Sequence, residues 1–251
     1  MNAPAISPRP APGPVLSIVI PVYNERDVWR SLVDRVLAVD LPGLTRQVIL
    51  VDDGSTDGTR EQLGLYRPAL PPGDAVMVLY HPVNRGKGAA LRTGFAAASG
   101  DLLLIQDADL EYDPRDYPLL LAPLLAGKAD VVYGCRFRHG RRIGIPVNYL
   151  ANRALTCLFN LLHGMCLYDM ETCYKVFRRP IVQGATLRQD RFGFEPEITA
   201  AVADAGIRIH EVPIRYYPRG HDMGKKITWK DGVAAIACML EDAVRSWRQR
   251  W

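Results

Sequence analysis

Residues 101–111 read Asp101-Leu102-Leu103-Leu104-Ile105-Gln106-Asp107-Ala108-Asp109-Leu110-Glu111, an unbroken apolar run that opens into three acids. The run predicts a strand over Asp101–Gln106, buried on both faces. Its end delivers Asp107 and Asp109, two apart, to a turn where both carboxylates can converge on one hard cation. Mg²⁺ or Mn²⁺ would suit, because each prefers oxygen ligands and can share diphosphate oxygens. The apolar run would otherwise drag uncompensated charge toward a buried edge, which is costly. Asp-rich turns are common on surfaces, so the triplet takes its meaning from its surroundings.

The same figure, apolar strand then polar motif, repeats along the chain. Leu16–Pro21, Gln47–Asp52, Ala75–Tyr80 and Asp130–Tyr133 also read as strands. Between them, Glu25–Ala38, Asp57–Leu65, Gly86–Ala98 and Pro114–Ala126 read as helices. Continuous apolar strands separated by helices describe an α/β fold, a mostly parallel, Rossmann-like sheet flanked by helices. Such sheets place ligands at the carboxyl ends of their strands, where every polar motif here falls. After Gly134 the rhythm changes. A helix near Val147–Leu162, a strand at Tyr174–Phe177, a helix at Pro196–Ala205 and a strand at Ile207–Tyr216 are expected. A last amphipathic helix follows from Thr228 to Trp247. We read 1–14 as a disordered Pro-rich arm, 15–227 as one domain, and 228–251 as the C-terminal helical segment.

The 251 residues are 48% hydrophobic and 23% charged, a globular composition able to fill one large core. A net charge of +4 is modest, and no nucleic-acid partner is expected. The five cysteines form no CxxC pair and leave one over, which points to reduced thiols in a cytoplasmic setting. No stretch reaches the roughly 18 apolar residues of a spanning helix, and the first 14 residues have no apolar core of a signal peptide.

Two further blocks sharpen the reading. Val51-Asp52-Asp53-Gly54-Ser55-Thr56-Asp57-Gly58-Thr59 follows the second strand. Asp52 or Asp53 can accept hydrogen bonds from a base or ribose, whereas Asp57 reads as an ordinary helix cap. Asn84-Arg85-Gly86-Lys87-Gly88 opens a small-residue helix, so Arg85 and Lys87 can cradle phosphate with backbone N–H groups. A solvated basic turn is the plainer account of either cation. The GxxxxGK[ST] spacing of a Walker A loop is absent, and no GxGxxG follows the first strand, which disfavours a dehydrogenase.

These blocks, with Ile18-Val19-Ile20-Pro21-Val22-Tyr23-Asn24-Glu25, resemble in order the signatures of family-2 inverting glycosyltransferases of the GT-A fold. Gly134-Cys135-Arg136-Phe137, Asp169–Phe177, Phe194-Glu195 and Arg219…Gly224-Lys225-Lys226 are similar to the dolichol-phosphate mannose synthase and polyprenyl-phosphate branch. The resemblance covers Val15 to Ile236. It implies a nucleotide-diphosphate sugar as donor, GDP-mannose or a UDP-hexose, with Mg²⁺ or Mn²⁺ as cofactor. Pro21, Tyr23 and Glu25 would border the nucleoside, with Asp53 near the base. Asp107, followed by Ala108, would touch the donor's ribose or sugar side, and Asp109 and Glu111 would hold the metal. That branch often carries Gln where this chain has Glu111, an added charge. The membrane-spanning C-terminal extension of some relatives is not expected here.

Two acceptor classes compete. Val131–Tyr168 contains no Asp or Glu but holds Arg136, Arg138, Arg141, Arg142 and Arg153, and Arg forks suit phosphate oxygens. A lipid phosphate is already an anion and needs no general base. An exposed basic loop, or one touching anionic headgroups, remains the rival account of Arg138, Arg141 and Arg142. A hydroxyl acceptor would need a carboxylate to take its proton, and Asp169, Glu171, Glu195 and Glu197 are candidates. Asp169 and Glu171 can equally be structural acids. The resemblance sets 169–177 on the acceptor side and makes Arg219–Lys226 a flap, with Arg219 and Lys226 as diphosphate contacts. The last helix carries Trp229 and Trp247 among Lys230, Arg245 and Arg248, with Trp251 just beyond. It suits a bilayer surface, a membrane partner protein, or the enzyme's own domain. A non-enzymatic nucleotide-sugar binder is disfavoured by the intact set of acids.

Overall fold

The computed structural model describes residues 13–137, 146–218 and 229–249. Seven strands form one sheet in the order β3-β2-β1-β4-β6-β5-β7. The first, β1 (Val15–Val22), pairs in parallel with β2 (Thr45–Asp52) and with β4 (Leu102–Ile105), and β2 pairs in parallel with β3 (Ala75–Tyr80). The chain thus builds outward from β1 to β3 and then returns to β1's other side. That reversal leaves a crevice beyond the carboxyl ends of β1 and β4, the place where open α/β sheets take ligands.

Leu16, Ile18, Val19, Ile20 and Val22 are all buried, as are the four residues of β4. Continuous burial follows because helices cover both faces. One of them, α3 (Lys87–Ala97), lies against β1 and β2. It settles closely because Gly94 meets the side chain of Val19, where a Cβ would clash.

The other half departs from a purely parallel plan. β6 (Lys175–Arg178) runs antiparallel between β4 and β5 (Val131–Cys135), and β7 (Ile209–Pro213) then pairs in parallel with β5. Because β6 is reversed, its beginning, not its end, lies beside the carboxyl ends of β4 and β5. The 169–175 segment is thereby delivered to the same edge as the acids after β4.

Several expected boundaries shift. Glu25 O accepts from Val28 N and Trp29 N, both at 3.0 Å, so the chain first turns and α1 begins only at Trp29 (Trp29–Ala38). The strand expected to reach Tyr216 stops at Pro213, because Asp116 takes Arg215 N at 2.7 Å and Tyr216 bridges to Tyr112. The helices α2 (Thr59–Gly64), α4 (Tyr117–Leu125), α5 (Pro146–His163) and α7 (Phe194–Asp204) match expectation within a few residues. One short helix, α6 (Arg179–Gly184), was not foreseen. The last helix, α8 (Trp229–Gln249), packs on α5 and α7 through buried Ala235, Cys238 and Met239. Residues 1–12, within the expected arm, and 219–228, with Arg219 and Lys226, lie outside the described residues.

Candidate active site

At the end of β1, Asn24 adopts a left-handed backbone (φ 50°) and joins the 52–59 turn. Its N–H donates to Ser55 Oγ at 2.9 Å, and its side chain accepts Thr56 N at 2.8 Å. Asp57 accepts from Arg26 N and Thr59 N, tying both loops to the start of α2. Burial alone would push its pKa up, but the Thr59 and Arg26 hydrogen bonds prevail and lower it. Pro21, Tyr23 and Glu25 are partly buried on the rim so formed.

Of the adjacent acids Asp52 and Asp53, either of which was expected to meet a base or ribose, both have partners within the chain. Asp52 is wholly buried and pairs with Arg60 at 3.1 Å. Asp53 accepts from Arg85 N at 2.9 Å, Gly86 N at 2.7 Å and His81 Nδ1 at 2.7 Å. His81 is held from its other side by Thr93 at 2.9 Å. Asp53 therefore clamps the 84–86 turn to β2, and it positions Arg85, which is exposed, by the backbone. Gly54 permits this closeness. Its φ is +72°, and a Cβ there would lie 2.5 Å from the backbone at Val83 and Asn84.

Lys87 opens α3 but does not project as a solitary phosphate ligand. Its Nζ lies 2.8 Å from Asp107 Oδ1 and 3.0 Å from Glu195 Oε1. Burial would lower its pKa, yet Asp107 and Glu195 prevail and hold it well above the ordinary lysine value. Glu195 is buried in the first turn of α7 and also pairs with Lys175, which is wholly buried and bonds the carbonyls of Met170 and Thr172.

Beyond Asp107 and buried Ala108, the turn tightens. Asp109 Oδ1 accepts from Glu111 N at 3.1 Å, and Leu110 between them has φ 61°. Only Gly, Asn and Asp visit that region readily, so the strain brings two acids to one turn at a definite energetic cost. Glu111 Oε2 accepts from Tyr216 Oη at 2.8 Å, and Glu111 O from Tyr217 N at 2.8 Å. Burial, with Glu111 nearby, pushes the Tyr216 hydroxyl's pKa up against the opposing pull of Arg136.

No cluster of three or more His, Cys, Asp or Glu capable of holding a metal by itself occurs among the described residues. Two partly buried carboxylates on one strained turn still fit a hard divalent ion whose other ligands come from a diphosphate and water. Asp109 and Glu111 are the residues that would supply the protein's oxygens to such an ion.

Arg136, expected as an acceptor fork, has its fork closed on a protein carboxylate. Its Nε and Nη2 donate to Asp169 at 2.8 and 2.7 Å, and its backbone N–H donates to the same group at 2.9 Å. Asp169 is thus a structural partner, wholly buried. The guanidinium lies over Tyr216, 5.2 Å from the ring centre, and so remains next to the Glu111 turn. Arg153 stands apart, donating to Tyr168 O at 2.5 Å and lying over that ring. Glu197 accepts Arg188 N and Gln189 N. Glu171 differs from all three other acids weighed as bases: its Oε1 is shut from solvent and has no hydrogen-bond partner among the described residues.

His81, Tyr216, Lys175 and Arg60 were not foreseen as members of this network. Lys175 reaches it at the start of β6 and Tyr216 by an isolated bridge to Tyr112, both from positions far along the chain that no local spacing announces. His81 directly follows a strand, like every other motif here, and was open to that reading.

The fold and site together define a GT-A-type α/β protein. Glucosyl-3-phosphoglycerate synthase from Mycobacterium tuberculosis, solved with Mn²⁺, UDP and glucosyl-3-phosphoglycerate, superposes with a TM-score of 0.68 at 25% identity, covering 92% of this chain and 80% of that one. The Glycosyl transferase family 2 profile matches residues 17–178, and the chain belongs to that family. Dodecaprenyl-phosphate galacturonate synthase from Rhizobium johnstonii is 30% identical over 84% of this chain and 61% of its own length. Undecaprenyl-phosphate 4-deoxy-4-formamido-L-arabinose transferase from Edwardsiella ictaluri is 30% identical over 84% and 62%. The chain spans about three-fifths of the length of these relatives.

Proposed function

We propose that the chain transfers a sugar, with inversion, from a nucleoside-diphosphate sugar to a polyprenyl-type lipid phosphate. One observation carries the acceptor class. Of the four acids able to deprotonate a hydroxyl, Asp169 is locked to Arg136, Glu195 lies between two lysines, and Glu197 binds two backbone N–H groups. An anionic phosphate attacks without such a base, and relatives named for dodecaprenyl and undecaprenyl phosphate support the choice.

In this reading the β1 and β2 loops, with Pro21, Tyr23 and Glu25, border the nucleoside. Asp109 and Glu111 would hold Mg²⁺ or Mn²⁺, which supplies positive charge to the departing diphosphate. Lys87 pairs with Asp107 and orients it toward the donor, and Arg136 leaves its remaining N–H groups for a phosphate. A neighbour solved with UDP and Mn²⁺ supports a uridine donor over a guanosine one. No helix among the described residues is long and apolar enough to cross a membrane. Exposed Leu150 and Leu161 on α5, with Ile236, Leu240 and Val244 on α8, support peripheral contact with the bilayer that holds the acceptor.

The second reading, a hydroxyl acceptor, rests on Glu171 alone, whose pKa burial pushes up to about 7. The test is a transfer assay with UDP- and GDP-sugars and Mn²⁺ or Mg²⁺, with and without polyprenyl phosphate in vesicles. Sugar-linked lipid formed only with the lipid phosphate is expected. Equal transfer to a sugar hydroxyl without lipid would overturn the reading.

A further inference from the structure

Glu171 occupies a place that the proposed reaction does not yet use. The side chains facing it come from four elements. Glu195 lies on α7, Lys175 on β6, Arg136 at the end of β5, and Asp169 two residues before it on the same segment. Each of those four is already paired, Arg136 with Asp169 and Lys175 with Glu195. Glu171 sits between the two pairs and takes part in neither, with Oε1 sealed from solvent and unpartnered among the described residues. A buried polar atom left unsatisfied costs about 1–3 kcal/mol, so the arrangement calls for a partner that the described residues do not provide.

The two pairs are also the two arms of the site. Through Tyr216, the Arg136 arm reaches Glu111. Through Glu195 and Lys87, the other arm reaches Asp107. Whatever meets Glu171 therefore lies between groups that border the transferred sugar's leaving diphosphate and its attacker.

We propose that Glu171 is an acceptor-binding residue that meets the acceptor phosphate as a neutral carboxylic acid, donating its proton in a hydrogen bond to a phosphate oxygen. No bond to the proton breaks during transfer. The phosphate oxygen forms the bond to the anomeric carbon, and the nucleoside diphosphate leaves with the electron pair. The surroundings favour the neutral form: burial first, then Glu195, raise its pKa to about 7 despite Lys175 and Arg136, and Asp169 adds to the rise. An ionised carboxylate there would repel an anionic acceptor, while a carboxylic acid recognises it. The inference rests on the lipid-phosphate reading and specifies how that acceptor is recognised.

The experiment measures kcat and acceptor KM for the full chain with Mn²⁺, a sugar nucleotide and polyprenyl phosphate in vesicles, from pH 5.5 to 9. Wild type, Glu171→Gln and Glu171→Ala are compared as ratios, which cancels the titration of acceptor and metal. Glu171→Gln keeps a neutral donor, so its kcat should stay within a few-fold of wild type. The ratio of wild-type to Glu171→Gln acceptor KM should then rise severalfold above about pH 7, by loss of one hydrogen bond. Glu171→Ala should show a raised KM at every pH. Loss of transfer in Glu171→Gln with donor affinity intact would instead make the residue a general base and overturn the proposal. A Glu171→Gln profile parallel to wild type would overturn it too. Wild type active only on a hydroxyl acceptor sinks the underlying reading, and that result shows in wild type before any variant is compared.

Discussion

Lys87 Nζ sits 2.8 Å from Asp107 Oδ1, so the cation that opens α3 and the first acid after β4 form one unit. The pair joins the β4 end to the start of α3, and Glu195 extends it to α7. Lys87, Glu195 and Arg136 are each paired with a group from another element, which makes single substitutions informative.

In the proposed reaction Asp109→Ala would remove a metal oxygen, together with the hydrogen bond from Glu111 N. Transfer should fall by roughly 10²–10³-fold, as for loss of one group stabilising developing charge. Calorimetry of UDP with and without Mn²⁺ should show the metal's contribution to affinity vanish in the variant. Unchanged turnover would remove the metal turn from the mechanism.

Asp169→Ala strands the Arg136 guanidinium in a buried site. Breaking such a pair costs about 3–5 kcal/mol, read as a lower midpoint in urea unfolding. Arg136→Met in the same background should recover part of the loss, because no buried charge is then left alone. Equal stability of single and double variants would contradict the pairing.

Gly54→Ala puts a methyl group against the Val83–Asn84 backbone at a positive φ, where neither strain nor space allows it. A cost of about 1–3 kcal/mol is expected, with a raised KM for the sugar nucleotide because the Asp53 clamp loosens. Gly184→Ala is the control, since nothing lies within 4 Å of a Cβ there.

Glu171 also predicts a pH dependence of stability. Its folded pKa of about 7 exceeds the usual 4.5, so between those values the folded chain holds a proton that the unfolded chain has released. Wild-type stability should therefore fall as pH rises through this window. Glu171→Gln lacks the effect. It should exceed wild type by about 1–3 kcal/mol at pH 8, with the gap closing toward pH 4.5 in parallel denaturation series. A gap that widens on acidification would reverse the assigned sign.

Leu161→Asp with Leu240→Asp tests the outward apolar face of α5 and α8. Each leucine inserted in a bilayer contributes about 1.5–3 kcal/mol, so vesicle co-sedimentation should weaken by at least roughly tenfold. Transfer to a short, detergent-soluble polyprenyl phosphate should be unaffected. Unchanged sedimentation would rule out this face as the membrane contact.

The strands were legible because each buried run ends at a polar block, and both strand and motif are local signals. That logic singled out Asp107, Asp109 and Glu111, and the structure sets them on one turn. Asp169 was read as an acid that could satisfy nearby Arg groups, but that its partner is Arg136 was not legible, because the pair forms only when the chain returns beside β5. The reversal of β6 has the same cause. Four residues from Lys175 to Arg178 carry no mark of direction, which the neighbouring strands impose. Asp52 and Asp53 also have partners in the chain itself, Arg60 and His81, which no local spacing announces.

The reversed strand leaves the molecule with a natural seam. On one side lie 15–111, with the loops proposed to border the nucleotide; on the other lie 129–137 and 165–213, which carry Arg136, Glu171 and Glu195. They are stitched along β4 and β6 by backbone hydrogen bonds, and the Lys87–Glu195 pair crosses the same line. Chimeras cut there that keep Lys87 and Glu195 would hold both the pleat and that pair, so a scaffold of this kind could exchange its acceptor half without rebuilding its nucleotide half.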